Sequence, residues 1–112
     1  MKRGVEAETM AAAFLERAGL TILARNYRCR LGEIDLVARD CETTVFVEVR
    51  SRASSAFGGA AASITGAKRQ RLLKAARHYI SRQRSLPQCR FDALLIEGDP
   101  PRIEWLRDAF GE

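Results

Sequence analysis

The chain has 112 residues, 46% of them hydrophobic, which is enough for one core of ordinary size. It carries 19 basic and 14 acidic residues, giving a net charge of +5, and no apolar run reaches the roughly 18 residues that a membrane-spanning helix needs. The start, "MKRGVEAET", lacks the apolar segment of a secretory signal, so we expect one soluble, cytoplasmic domain over residues 1–112 with no membrane partner.

The first half of the chain predicts one helix followed by three strands. Residues 5–18, "VEAETMAAAFLERA", are rich in helix formers, and Gly19 follows as a natural C-terminal stop. Strands are predicted at 20–28, 33–39 and 44–50. The second and third of these strands form a hairpin around the polar turn "DCET".

The second half predicts a loop, a long helix and two more strands. Residues 51–63 are small and contain glycine, with no periodicity, so we expect a mobile loop. A helix is predicted over 67–84, and strands at 90–97 and 102–106 are separated by the turn "GDPP". The order is therefore α-β-β-β-α-β-β, which predicts an α/β fold with a mixed central sheet flanked by helices.

The second helix lies in the most basic part of the chain. Thr65 can cap it, and the residues predicted to face inward are Leu72, Ala76 and Tyr79 or Ile80. Its other faces carry Lys68, Arg69, Arg71, Lys74, Arg77, Arg82 and Arg84. Segment 49–90 holds ten basic residues and no acid, which favours phosphate binding because each phosphate contact releases counterions. The alternative is a solvated helix face, but such faces usually mix charges.

The hairpin turn fixes which residues of the second and third strands lie opposite each other. If the turn is centred between Cys41 and Glu42, Asp35 lies opposite Glu48. The same register pairs Glu33 with Arg50. Strand alternation then puts Glu33, Asp35, Val37, Phe46, Glu48 and Arg50 on one face. The other face, predicted to be core, consists of Ile34, Leu36, Ala38, Val45, Val47 and Val49.

Two carboxylates that face each other across a ladder repel and cost stability. A divalent cation between them removes the repulsion, and Mg²⁺ is commonly held by one or two carboxylates with waters and substrate phosphates. Asp35 and Glu48 are therefore candidate ligands. The alternative is an exposed strand face on which Glu33 and Arg50 form an ordinary surface salt bridge.

Cysteine and histidine give little sign of a site. Cys29, Cys41 and Cys89 are odd in number and form no CxxC pair, so we predict reduced structural thiols. His78, the one histidine, lies among basic neighbours and is more often a packed or solvated residue than a catalytic one.

Several stretches together resemble a known family. "GEIDLVARD", "VFVEVRSR", "FGGAAASITGAKRQRLLKAARHYI", "CRFDALLIE" and "IEWLRDAF" resemble, in this order, the YraN family of uncharacterised bacterial proteins, which are similar to archaeal Holliday-junction resolvases. The resemblance runs over residues 4–110. It implies a restriction-endonuclease-like core of the PD-(D/E)xK type, in which a hairpin carries an Asp and then Glu-x-Lys.

The resemblance assigns roles to particular residues. Asp35 matches the first acid of the motif, Glu48 matches its glutamate, and Glu8 matches an additional acid of the resolvase-like branch. Further matches are Lys68 and Arg69 at the start of the second helix and Arg90 and Asp92 in "RFD". The motif's lysine is Arg50 here. A guanidinium cannot act as a base but can stabilise charge on a phosphate, so this departure weakens the prediction of catalysis.

These observations predict a metal-dependent, structure-selective nuclease that uses Mg²⁺ or Mn²⁺ and acts on nucleic acid, with branched DNA as one candidate substrate. The predicted catalytic residues are Asp35, Glu48, Arg50 and Glu33. The predicted metal ligands are Asp35, Glu48 and Glu8. The predicted nucleic-acid-binding residues are Lys68, Arg69, Arg71, Lys74, Arg77 and Arg52. DNA and RNA both stay open, and the resemblance to resolvases implies a homodimer.

Two alternatives of other classes remain. One is a nucleic-acid-binding module without catalysis, in which Arg50 marks a decayed site. The other is a protein-interaction domain that uses the segment "AFGGAAASI" and the acidic tail.

Overall fold

The computed structural model describes residues 2–52, 66–84 and 87–109. Within these ranges the elements are α1 (Lys2–Arg17), β1 (Thr21–Cys29), β2 (Gly32–Asp40), β3 (Thr43–Arg52), α2 (Gly66–Ser81), β4 (Gln88–Glu97) and β5 (Arg102–Leu106). The predicted mixed α/β fold, with its five strands and two helices, is confirmed. The bounds differ by a few residues: β3 runs on to Arg52, and α2 ends at Ser81 instead of at residue 84. The predicted loop over 51–63 lies mostly outside the described residues, as does the proposed cap Thr65.

The strands form one mixed sheet in the order β1-β2-β3-β4-β5. β3 and β4 are parallel, and the other three neighbouring pairs are antiparallel. The predicted hairpin register is confirmed, since Val37 pairs with Phe46 and Leu36 pairs with Val47. The turn contains two residues, and the first of them, Cys41, has a φ of 56°. In this strand order β3 is the central strand, with β2 on one side and β4 on the other.

Hydrophobic residues are buried on both faces of the sheet, which sequence alternation did not predict. One cluster joins α1 to the sheet through side chains such as Leu15, Val47 and Leu94. The other lies under α2 and contains Val37 and Phe46, both fully buried. A helix covers each face of the central strands, so the face that carries Val37 and Phe46 is core as well as the predicted one.

Strand alternation breaks at Asp35. Leu36 packs in the cluster with α1, whereas Ile34 packs in the cluster under α2. The β1–β2 ladder passes from the pair Arg25 and Leu36 to the pair Tyr27 and Ile34. The residue between Arg25 and Tyr27 is Asn26, which has a φ of 53°. The prediction that Ile34 shares a face with Leu36 was wrong, and Asp35 lies where the strand changes faces.

Aromatic side chains fix α2 on the sheet. The Tyr27 hydroxyl and His78 Nδ1 are 2.6 Å apart in a hydrogen bond, and Tyr79 makes edge contacts with the rings of Tyr27 and Phe46. Leu72 and Ala76 face inward as predicted, and Ala75 is buried with them. His78 is therefore part of the packing between α2 and β1.

A buried acid ties β4 to β5 on the opposite face. Asp92 is fully buried and accepts hydrogen bonds from Arg90 Nε at 2.9 Å, from Trp105 Nε1 at 2.9 Å and from the Asp108 backbone N–H at 2.9 Å. Arg90 also contacts Asp40 at 3.2 Å, and its pKa is raised, chiefly by the hydrogen bond to Asp92. These contacts give Arg90 and Asp92 a structural role.

Two further expectations concern thiols and membranes. All three cysteine thiols are free, as predicted. No helix in the described ranges is both long enough and apolar enough to cross a bilayer.

Gly32, at the start of β2, touches the backbone of α2. A β-carbon on Gly32 would lie 2.2 Å from the Arg71 carbonyl oxygen and 2.9 Å from its carbonyl carbon. Both are backbone atoms inside a helix and cannot move alone. The β1–β2 turn and α2 can approach this closely only because residue 32 has no side chain.

Gly32→Ala should therefore lower the free energy of unfolding by about 1–3 kcal/mol, the usual cost of overpacking. Urea denaturation measures this directly. Gly66→Ala is the matched control, because among the described residues no atom outside its own helix backbone and chain neighbours lies within 4 Å of the β-carbon position at Gly66. Equal stabilities for the two variants would contradict the contact.

Candidate functional site

The candidate site lies where β2 and β3 separate. The last residue pair of their ladder is Leu36 with Val47. Beyond it, the Asp35 carboxylate accepts a hydrogen bond from the Val49 backbone N–H at 2.9 Å. A side-chain oxygen thus takes the place of a backbone acceptor, which holds Asp35 between the two strands and satisfies a buried donor.

Asp35 and Glu48 come together as the hairpin register predicts. Their carboxyl groups hydrogen-bond to each other, and the Glu48 side chain is only 9% exposed. Burial, with the charge of Asp35 as the second cause, raises the pKa of Glu48 to about 7. Burial also raises the pKa of Asp35, although the Val49 N–H and the Arg50 charge oppose this. Each carboxylate is therefore costly to ionise beside the other.

Arg50 partly offsets the negative charge of the two acids. Its Nη2 forms an ion pair with Glu48 Oε2, two residues away on the same face of β3. Its Nε is buried and has no hydrogen-bond partner among the described residues. The alternative in which Arg50 pairs with Glu33 was wrong. Because β2 diverges from β3 at Asp35, Glu33 instead lies 3.8 Å from Arg28 on β1, in a weak and exposed ion pair.

The first turns of α2 bring cations to the acids. Glu33, Glu48, Arg50, Lys68 and Arg71 line a cleft of about 30 Å³, which holds roughly one or two water molecules. The charge of Lys68 lowers the pKa of Glu48, in opposition to burial. The cleft therefore places two cations of α2 beside the predicted acids.

The other predicted nucleic-acid-binding residues lie farther from the acids or cannot be placed. Arg69, Lys74 and Arg77 are on exposed positions of α2. The side chain of Arg52 is outside the described part of the structure.

Glu8 approaches the acids from α1. It accepts a hydrogen bond from Asn26 Nδ2 at 2.9 Å, and its pKa is raised by burial and next by the charge of Asp35. Within the described ranges, however, no three His, Cys, Asp or Glu side chains are close enough to form a metal-binding group. Sequence analysis missed Asn26. The only signal was that asparagine tolerates a positive φ.

The donor set suits a hard divalent cation. Asp35 and Glu48 offer carboxylate oxygens at one point, and both have a raised pKa because their negative charges are buried together. Mg²⁺ needs only one or two protein carboxylates when water and phosphate oxygens complete its shell. A cation here would offset the repulsion that burial amplifies.

Comparison with known proteins identifies relatives over nearly the whole chain. A family model described as "Uncharacterised protein family UPF0102" matches residues 7–96. A UPF0102 protein of Nitrosomonas europaea is 57% identical over 111 residues, which are 98% of this chain and 94% of that protein. UPF0102 proteins of Methylobacillus flagellatus (55% identical, covering 96% of this chain and 95% of that protein) and Paracidovorax citrulli (58%, covering 96% and 81%) are similar as well.

The raised pKa of Glu48 predicts a particular dependence of stability on pH. The folded state keeps the Glu48 proton up to about pH 7, whereas the ordinary value is 4.5, so the resulting stabilisation is complete below pH 4.5 and is lost as the pH rises to about 7. Relative to Glu48→Gln, the wild type should lose on the order of 1–3 kcal/mol of unfolding free energy over this range. Urea denaturation between these pH values measures the difference.

The control for this measurement is Glu42→Gln, which makes the same chemical change at an exposed residue of the β2–β3 turn. It should follow the wild type at every pH. A difference between wild type and Glu48→Gln that stays constant with pH would contradict the buried carboxyl pair.

Proposed function

The chain belongs to the uncharacterised protein family UPF0102, also called YraN, and we propose that it is a metal-dependent nuclease that hydrolyses nucleic-acid phosphodiesters with selectivity for structure. The observation that carries the proposal is the buried pair of Asp35 and Glu48 beside Arg50. Burying two acids together costs stability, and folding alone does not require it. A site that binds a cation and a phosphate does require such charges.

The proposal includes a restriction-endonuclease-like core. Its support is the position of the two acids on adjacent antiparallel strands, near the point where these strands separate. The helix that follows β3 carries cations toward the same point. This arrangement is similar to the PD-(D/E)xK motif that the sequence resembles, with Arg50 in the position of the lysine.

Asp35 and Glu48 are the residues that would hold Mg²⁺ or Mn²⁺. Such a cation, when bound, supplies Lewis acidity toward a phosphate oxygen. The Val49 N–H fixes the orientation of Asp35, so this carboxylate is positioned before any substrate arrives. Glu8, oriented by Asn26, adds negative charge from α1, although it completes no three-residue metal group among the residues that the structure describes.

Arg50 and Lys68 would neutralise the negative charge of the reacting phosphate. Arg50 lies against Glu48, and its buried Nε has no partner in the described part of the chain, so it can donate a further hydrogen bond. A guanidinium stays protonated and cannot remove a proton from water. Glu33 is an exposed acid in the same cleft and would orient the attacking water.

Selectivity for structure follows from the kind of contacts that α2 offers. Its exposed cations would bind backbone phosphates, which are the same in every sequence. The shape of the nucleic acid, rather than its bases, would then decide which phosphate reaches Asp35 and Glu48.

One observation favours a second function, a nucleic-acid-binding module without catalysis. The ion pair between Arg50 and Glu48 already neutralises one acid from within the chain. In an inactive protein this pair would replace the cation, and α2 would still bind phosphates. Metal binding and strand cleavage separate the two functions.

Metal binding should be visible as a change in thermal stability. About 10 mM Mg²⁺ or Mn²⁺ at pH 8 should raise the Tm of the wild type by about 3–6 °C, the effect of about 1 kcal/mol in a domain of this length. Asp35→Asn should lose this shift, because an amide binds Mg²⁺ poorly yet can still accept the Val49 N–H. Asp108→Asn, at an exposed position, is the control and should keep it. No shift in the wild type would count against a metal site.

Cleavage tests the function itself. End-labelled four-way junction, flap, duplex and single-stranded DNA, with RNA counterparts, are incubated with protein in Mg²⁺ or Mn²⁺, and cut strands are counted. The wild type should cut, and Glu48→Gln should lower the rate by at least about 100-fold, since removal of a group that stabilises transition-state charge has an effect of this size. Glu42→Gln should cut like the wild type.

Measuring nucleic-acid binding in the same samples distinguishes the nuclease from the binding module without catalysis. Glu48→Gln should bind as tightly as the wild type or more tightly, because a negative charge near the phosphate is removed. If neither protein cuts but both bind in a salt-sensitive way, the nuclease is excluded and the binding module is supported.

A further inference from the structure

A second, larger cleft adjoins the acidic site. It measures about 310 Å³ and lies between the β1–β2 turn and α2. Its lining residues are Arg28, Cys29, Arg30, Leu31, Gly32, Glu33 and Arg71. Glu33 and Arg71 also line the small cleft that contains Glu48 and Arg50. The two clefts are therefore neighbours that share part of their walls.

The charge of the larger cleft favours an anion. Three arginines face one acid, and the contact between that acid, Glu33, and Arg28 is 3.8 Å long with both side chains more than half exposed. Such a pair contributes little to stability. The fold thus gains little from this concentration of guanidinium groups, whereas phosphates bind well to them.

The cleft also offers an apolar surface. Leu31, at the tip of the turn, is 51% exposed and is one of two large hydrophobic residues exposed in the described ranges. Cys29 lies beside it. The leucine side chain can contact an apolar ring, while the neighbouring arginines can bind charged groups. The planar guanidinium groups can also stack on bases.

The size of the cleft restricts what can enter. A volume of about 310 Å³ is at the lower end for small-ligand pockets and suits a single nucleotide unit. A base that is stacked and paired inside a duplex cannot enter a pocket of this kind until it leaves the stack. A nucleotide in this cleft would therefore come from an unpaired strand.

We propose that the cleft between the β1–β2 turn and α2 binds one unpaired nucleotide of the substrate strand, with its phosphate on Arg28, Arg30 and Arg71 and its base against Leu31. This inference deepens the proposed function and rests on it. It defines the substrate class as nucleic acid with a single-stranded segment next to the cut, such as a flap or the branch point of a junction.

Binding without metal tests the cleft apart from catalysis. Fluorescence anisotropy in EDTA measures the affinity for a labelled thymidine oligonucleotide of about 15 residues and for a duplex of the same length. Arg28→Gln with Arg30→Gln should weaken single-strand binding by about tenfold and reduce the salt slope by about 0.7, the value for one lost phosphate contact. Leu31→Ser should weaken it by about threefold while duplex binding stays unchanged.

The matched control removes the same charge elsewhere. Arg39→Gln with Arg102→Gln changes two exposed arginines, on β2 and β5, that do not line the cleft. It should reduce both affinities slightly and equally. Circular dichroism of every variant checks the fold. If both double variants weaken both ligands alike and Leu31→Ser has no effect, the cleft contributes only general charge and the nucleotide site is excluded.

Cleavage assays then separate this inference from the proposed function. If the cleft variants lose flap cutting and also bind single strands more weakly, both the nucleotide site and the nuclease are supported. Cleft-dependent binding in a wild type that never cuts supports the nucleotide site and excludes the nuclease. Cutting with unchanged rate and substrate preference in Leu31→Ser and in Arg28→Gln with Arg30→Gln excludes the nucleotide site and keeps the nuclease.

Discussion

The burial of two acids at one point is the constraint on which the rest of the structure depends. Asp35 and Glu48 share a hydrogen bond in a place where water cannot fully solvate either charge. The surroundings supply what water does not: a backbone N–H from Val49, a guanidinium from Arg50 and an ammonium from Lys68. Because the two acids lie on β2 and β3 and the groups that compensate them lie on β3 and α2, the site forms only when all three elements are in place.

The sheet satisfies this constraint by covering its centre on both faces. α1 and α2 each bury one face of β3, so the strand can be apolar on both sides and still carry Glu48 and Arg50 at its end. The change of face at Asp35 lets β2 contact both helix layers. It lets Ile34 pack under α2 while Asp35 stays within the electrostatic reach of Glu8 on α1.

The parts of the structure that could be predicted from sequence were those governed by local rules. A two-residue turn set the hairpin register and therefore the meeting of Asp35 with Glu48. The burial of Val37 and Phe46, the change of face at Ile34 and the partner of Arg50 could not be predicted. Each of them depends on where a distant helix packs or where two strands separate. The alternation of side chains along one strand gives no information about either.

The contact of Gly32 with the Arg71 carbonyl limits which substitutions the β1–β2 turn can accept. Main-chain atoms of α2 lie so close to Gly32 that a side chain at residue 32 would push the turn and the helix apart. Substitutions at other residues that line the clefts leave this limit on the approach of the turn to α2 in place. The absence of a side chain at one position is thus a condition for the close packing of the β1–β2 turn on the helix that carries Lys68 and Arg71.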